Sequence, residues 1–439
     1  MAAPSPVARH PVRGAPDLLP RTEPTTGSRQ RRWLVPAGML AVWGPGLVVM
    51  LADTDAGSLI TAAQSGTRWG YRMVLPQLVL IPVLFVVQEM TVRLGVTTGR
   101  GHGALIRERF GRGWALVSAG TLLAAGTGAL LTEFAGVAGV GELFGVPRSV
   151  TVPAAAAFLI GAAVTGSYRR VERVGIALGL AELVFVPALV MAHPDIGAIA
   201  RGFVHVPLGN QSFVVLLAAN VGAVIMPWMI FYQQGAVIDK GLSRRDIRSE
   251  RRDTAIGAVL TQAIMVVVVV TFAATVGRAR PGTTLATVGD LSRALRPFLG
   301  LPGAKVLLGV SVLGAALVAA LVASIAGAWG IAEVFGWRHT LNDRPSRHNA
   351  MFYAIYALTH VVGAVVVLLH VDVVGLVVDV MVMNALLLPV VLGFLLALEA
   401  KALPPSMRMR GPYRWVATVL SVAVIGFGLF MVPATMGWA

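Results

Sequence analysis

Eleven apolar stretches follow one another along this chain, near residues 37–62, 71–93, 114–143, 149–167, 174–192, 211–237, 254–277, 303–335, 350–370, 373–398 and 415–434. A bilayer core takes about 20 helical residues to cross, so each stretch is a candidate span. The expected fold class is therefore all-α, a polytopic membrane protein. Composition agrees: 13% of the 439 residues are charged, and mean hydropathy is +0.76. A soluble domain carries roughly 25% charged residues, about twice this supply for a wetted surface.

The net charge of +15 would suggest nucleic acid if the basic residues formed one face or tail. They fall instead in short clusters between the apolar stretches, and the expected partner is a lipid bilayer, with no nucleic acid. With the N-terminus inside, the cytoplasmic connections hold 27 of the 36 Lys and Arg residues. Such an excess on alternate connections marks the cytoplasmic side and places the chain in the cytoplasmic (inner) membrane. Of the nine basic residues left outside, Arg278, Arg280, Arg293, Arg296 and Lys305 surround one long loop. Residues 1–36 read as a disordered basic cytoplasmic tail without the apolar core of a signal peptide. The absence of cysteine excludes disulfides, thiolate metal sites and a Cys nucleophile. There is no phosphate loop and no nucleophile–base pair, so the chain reads as neither an ATPase nor any other enzyme, and no resident cofactor is expected.

Two stretches carry interruptions. The first runs Gly44-Pro45-Gly46 to Asp53-Thr54-Asp55-Ala56-Gly57-Ser58, with two carboxylates at mid-span; the sixth runs Asn220-Val221-Gly222-Ala223-Val224-Ile225-Met226-Pro227-Trp228. Proline removes a helix hydrogen bond and glycine tolerates unwound backbone. Interrupted helices at matching places in two halves point to a transporter site at the midplane. Stretches one to five and six to ten form those halves. Five is odd, so the second half is inverted: repeats at about 37–192 and 211–400 make a core over 37–400. Residues 401–439 add a loop and an eleventh helix.

Asp55 is the leading candidate for a cation ligand, because a mid-membrane carboxylate is costly and no basic residue lies within the centre of any span. Ser58 would share its helical face and add a hydroxyl; Asp53 could join through an unwound backbone. A break before Pro227 would free the Ala223 carbonyl, a hard ligand, while Met226 offers a soft thioether. Gly57, Pro227 and Trp228 flank the pathway. Glu133 is the candidate for a proton or gating role, and Glu89 an alternative carrier. No His lies at a break.

The sequence resembles the Nramp family of divalent-metal transporters across most of residues 37–400. The resemblance is carried by Gly44-Pro45-Gly46 with Asp55-Ala56-Gly57, by Arg93-Leu94-Gly95-Val96-Thr97-Thr98-Gly99-Arg100, by Glu133 with Leu143-Phe144-Gly145-Val146-Pro147, and by Met226-Pro227. It implies a LeuT-type inverted repeat of five plus five helices with an eleventh. It also implies a metal site of Asp55, the Ala223 carbonyl and Met226. Three positions depart from the family pattern: Ser58 replaces an Asn ligand, Ala56 a Pro, and Trp228 a His. Leu130 stands where the family has an Asp that serves proton transfer. The pattern looks like the Nramp-related branch associated with Mg²⁺.

The resulting expectation is a monomeric transporter for Mn²⁺, Mg²⁺ or Fe²⁺, driven by membrane potential with weak or no proton coupling. The alternative is a LeuT-fold symporter of a small organic substrate. Acids at 53 and 55 would repel a substrate carboxylate.

Overall fold

The helix breaks dictate where this bundle bends, and caps dictate where each helix begins. The computed structural model describes residues 49–50, 52–164, 182–183, 185–337, 345–369 and 372–435. The tail, the Gly44-Pro45-Gly46 turn, most of stretch five, and His339 and His370 lie outside the described residues. Among those described there is no strand.

In chain order the helices are α1 (Ala56–Trp69), α2 (Val74–Thr98), α3 (His102–Phe110), α4 (Arg112–Leu143), α5 (Arg148–Val164), α6 (Phe185–Met191) and α7 (Ile196–Val204). They continue with α8 (Gln211–Val224), α9 (Pro227–Asp239), α10 (Ile247–Phe272), α11 (Val288–Phe335), α12 (Ala350–Leu369), α13 (Val373–Ala402) and α14 (Gly411–Thr435). Among the described residues, eight helical stretches are long and apolar enough to cross a membrane, and α5 is a shorter apolar helix. Stretch six divides into α8 and α9, as the proline predicts.

Several boundaries differ from those read in the sequence. The first span does not stop at 62 but continues to Trp69, because Gln64 finds a buried partner in the Leu285 N–H, 2.8 Å away. A further helix, capped by the reciprocal box of Thr287 and Asp290, runs from Val288 into the eighth span, Leu299–Phe335, and the backbone kinks between them at Gly300 with φ 67°. The connection 93–113 contains α3, and the connection 193–210 contains α7, which Asp195 caps through the Ala198 N–H. Helices of nine residues fall below the length that a spanning pattern reveals.

Small residues let the helices around the breaks approach closely. A side chain on Gly57 would lie 2.1 Å from Met381 Cε, and one on Gly222 would lie 1.9 Å from the Met381 carbonyl oxygen. Helix α13 therefore bears against both broken elements at once, through one residue. Interhelical packing in membranes depends on such close approach, since lipid tails are as apolar as the side chains they would replace.

Candidate functional site

The site starts from one missing hydrogen. In an unbroken helix the Ala223 carbonyl would accept from the N–H of residue 227, and proline has none. The backbone leaves helical geometry at Ile225 (φ −118°, ψ 75°) and Met226 (φ −80°, ψ 131°), and Pro227 restarts it as the first residue of α9. The released Ala223 carbonyl accepts a hydrogen bond from the Ser58 hydroxyl at 2.9 Å. The break in stretch six is thereby tied to the break in stretch one, 165 residues away.

Asp55 makes that second break. It is the N-cap of α1, extended at φ −82° and ψ 175°, and its Oδ1 accepts from the Ser58 N–H at 2.6 Å. This corrects the expected shared helical face: Asp55 lies outside the helix and Ser58 closes its cap. Asp55 Oδ2 receives no donor. From α4, Glu133 Oε2 accepts from the Ala56 N–H at 3.3 Å, and its carboxyl lies within hydrogen-bonding reach of the Asp55 carboxyl. Asp55, Ser58, Ala223 and Met226 are all buried, and so is Glu133.

Asp53 is also buried, and neither of its oxygens has a hydrogen-bond partner among the described residues. Trp228 is fully enclosed, its indole N–H likewise without a partner among them. Gly57 faces α13 and the Thr132 side chain. Two further residues belong to this neighbourhood that the sequence reading did not single out for a role. Asn384 of α13 donates to the Gly222 carbonyl at 3.4 Å, and buried Glu182 is hydrogen-bonded to Thr54, between the two acids of the break. A polar residue in an apolar run was the available signal for both. Glu89 belongs elsewhere: it pairs with Arg93 and, at 3.2 Å, with Arg251, and accepts from the Tyr413 hydroxyl at 2.8 Å. Tied by these groups, it is a structural anchor rather than a free carrier.

No ion pair joins a basic residue to Asp53, Asp55, Glu133 or Glu182 among the described residues. Nor do three acid or imidazole groups there converge as a metal cluster. The arrangement instead offers one carboxylate, one carbonyl, one hydroxyl and one nearby thioether, at the facing ends of half-helices. The C-terminal end of α8 presents its carbonyls here, the polarity that suits a cation. Buried carboxylates without a counter-charge are costly, and a cation bound among them would relieve both desolvation and mutual repulsion.

Near the Gln211 end, a cavity of about 370 Å³ is bordered by Gln64, Asp372 and Asp379. Toward the other end, α3 is fastened by side chains of α9 and α11. Gln234 donates through Nε2 to the Arg100 carbonyl at 2.8 Å, which leaves its Oε1 to accept from His102 Nδ1 at 3.0 Å. Burial holds the His102 imidazole down at about 4, against the partly opposing bond to Gln234. Glu333 of α11 accepts from the Gly103 N–H at 3.0 Å and locks the same helix.

Comparison with known proteins agrees with this architecture. A family model described as natural resistance-associated macrophage protein-like matches residues 46–433. A divalent metal cation transporter MntH of Agrobacterium fabrum is 27% identical over 303 residues, 66% of this chain and 65% of that protein. The protein of the same name from Deinococcus radiodurans is 27% identical over 316 residues, 69% of this chain and 70% of its own. Among solved structures, the Eremococcus coleocola manganese transporter superposes with a TM-score of 0.76 at 18% identity, covering 91% of this chain and 89% of that one. MhsT in complex with L-phenylalanine superposes at 0.64 and 12% identity, over 91% and 98%. These likenesses show the all-helical, LeuT-type fold.

Proposed function

Since the chain belongs to the Nramp family, whose members are metal-ion transporters and not enzymes, we propose that it carries a divalent cation across the membrane, with Mn²⁺, Mg²⁺ and Fe²⁺ as substrates. One observation carries the reading. The Ser58–Ala223 hydrogen bond joins two helix breaks at a buried carboxylate that has no basic partner among the described residues. A cation fits that position; an organic carboxylate does not.

In this reading Asp55 supplies the charge, the Ala223 carbonyl and Ser58 hydroxyl supply neutral oxygens, and Met226 supplies sulfur. Asp53 holds negative potential beside them. Glu133 and Trp228 line the pathway, with Gly57 and Pro227 permitting the backbone to open. The Ser58 hydroxyl turns from the carbonyl to the ion when the ion arrives, so both oxygens become available together.

Entry is driven by membrane potential. A divalent ion moving down 100 mV gains about 4.6 kcal/mol, worth more than a thousandfold in concentration. Trp228 and Leu130 are both buried and cannot carry protons, which supports weak or absent proton coupling. Proteoliposomes test this directly. Uptake of Mn²⁺ should follow an imposed inside-negative potential and leave the lumenal pH unchanged. Stoichiometric acidification with the metal would overturn the uncoupled reading, and no uptake of either ion would overturn the substrate.

A further inference from the structure

The basic residues on the wrong side of the charge distribution are not used by the cation pathway. Three of them, Arg68, Arg72 and Arg201, line one cavity of about 440 Å³ together with His205. It lies where α1 ends, at the short turn Gly70–Met73, and is closed by α7. No carboxylate lines it. Arg201 reaches Asp195 at 3.6 Å, whereas Arg68 and Arg72 make no ion pair or hydrogen bond among the described residues. Guanidinium groups around a carboxylate-free cavity are suited to phosphate oxygens.

Beside this cavity runs a groove of about 380 Å³ lined by apolar side chains alone. Its residues come from α2, α8, α14 and the connection between α7 and α8, and include Leu75, Val79, Val206 and Phe427. The two features adjoin. Arg72, Leu75 and Val79 recur every three to four residues, the spacing of one helix face, and His205 of the cavity precedes Val206 of the groove. Trp69 and Tyr71 at this level are the aromatic residues found at headgroup depth.

We propose that this end of the bundle binds an anionic phospholipid, its phosphate held by Arg72 and Arg201 and one acyl chain lying in the groove toward Phe427. Basic pockets between membrane helices recognise headgroups through this chemistry. Because Thr67 and Arg68 form the last turn of α1, the lipid would fasten the half-helix that Asp55 caps to α7 and α14.

Native mass spectrometry of the full chain with defined lipids tests it. Dioleoylphosphatidylglycerol should be retained at least about tenfold better than dioleoylphosphatidylcholine. Arg72→Ala and Arg201→Ala, each checked for monodisperse elution, should abolish that preference, and Arg293→Ala, outside the cavity, should keep it. Equal retention of both lipids, or a preference that survives both cavity variants, overturns the proposal. Displacement of the lipid by millimolar inorganic phosphate also overturns it, because the cavity would then be a site for a soluble anion. Mn²⁺ uptake is not the readout, so failure here is distinct from failure of the transport reading.

Discussion

At Asp55, charge and cap geometry can be separated. Asparagine also accepts an N-cap hydrogen bond, so Asp55→Asn keeps the bond from the Ser58 N–H and removes only the negative charge. Divalent-ion uptake in proteoliposomes should fall to background while the elution profile stays that of the native protein; uptake at the native rate would move the site elsewhere. Met226 is buried at the second break, where its thioether is a soft donor. Sulfur favours Cd²⁺ over Mg²⁺, so Met226→Ala should relieve Cd²⁺ inhibition of Mn²⁺ uptake and spare Mg²⁺ uptake. Equal Cd²⁺ inhibition in both proteins would exclude sulfur from the ion's shell. Asp55 and Ser58 stood out because polar groups in an apolar run are few, and Ala223 and Met226 because Pro227 marks a break beside them. Their partnership was not: nothing in the spacing says that Ser58 answers the carbonyl that Pro227 releases, or that Glu133 reaches across to the Ala56 N–H.

Among the elements, α3 is the one whose docking depends on pH. Its His102 is held near 4 by burial, against an ordinary value of 6.5. The undocked helix therefore binds a proton below pH 6.5 that the docked helix refuses until about pH 4. Docking is at full strength above 6.5 and weakens as pH falls through that window, by up to about tenfold per unit. Hydrogen exchange across residues 102–110 should accelerate between pH 6.5 and 5, beyond the intrinsic chemistry, and His102→Gln should remove the extra step. An unchanged profile in that variant would assign the effect to another group. Long spans were readable from hydropathy because lipid demands about 20 apolar residues. The helices α3 and α7 escaped it, being nine residues long and fixed by tertiary contacts such as Glu333 with Gly103 rather than by their own pattern.

For the molecule as a whole, α14 is held to the repeats partly by one polar cluster. Glu89 of α2 accepts from Tyr413 of α14, and Arg251 of α10 sits 5.1 Å from the Tyr413 ring centroid. A hydrogen bond to a charged group contributes about 1.5–3 kcal/mol. Tyr413→Phe should therefore lower the melting temperature in detergent and leave Mn²⁺ uptake per folded molecule unaltered; an unshifted melting temperature would show that apolar packing alone retains α14. The bond between Ser58 and Ala223 has a consequence for how the chain is made. Its two ends are synthesised 165 residues apart, and the carbonyl that the Ser58 hydroxyl meets beside the Asp55 carboxylate is absent from a nascent first half. Lipid is a poor host for either group. Release of the first span from the insertion machinery into open bilayer is therefore disfavoured until α8 and α9 have emerged. Biogenesis of this protein must proceed by late pairing of the two broken spans, not by threading finished helices into the membrane one at a time.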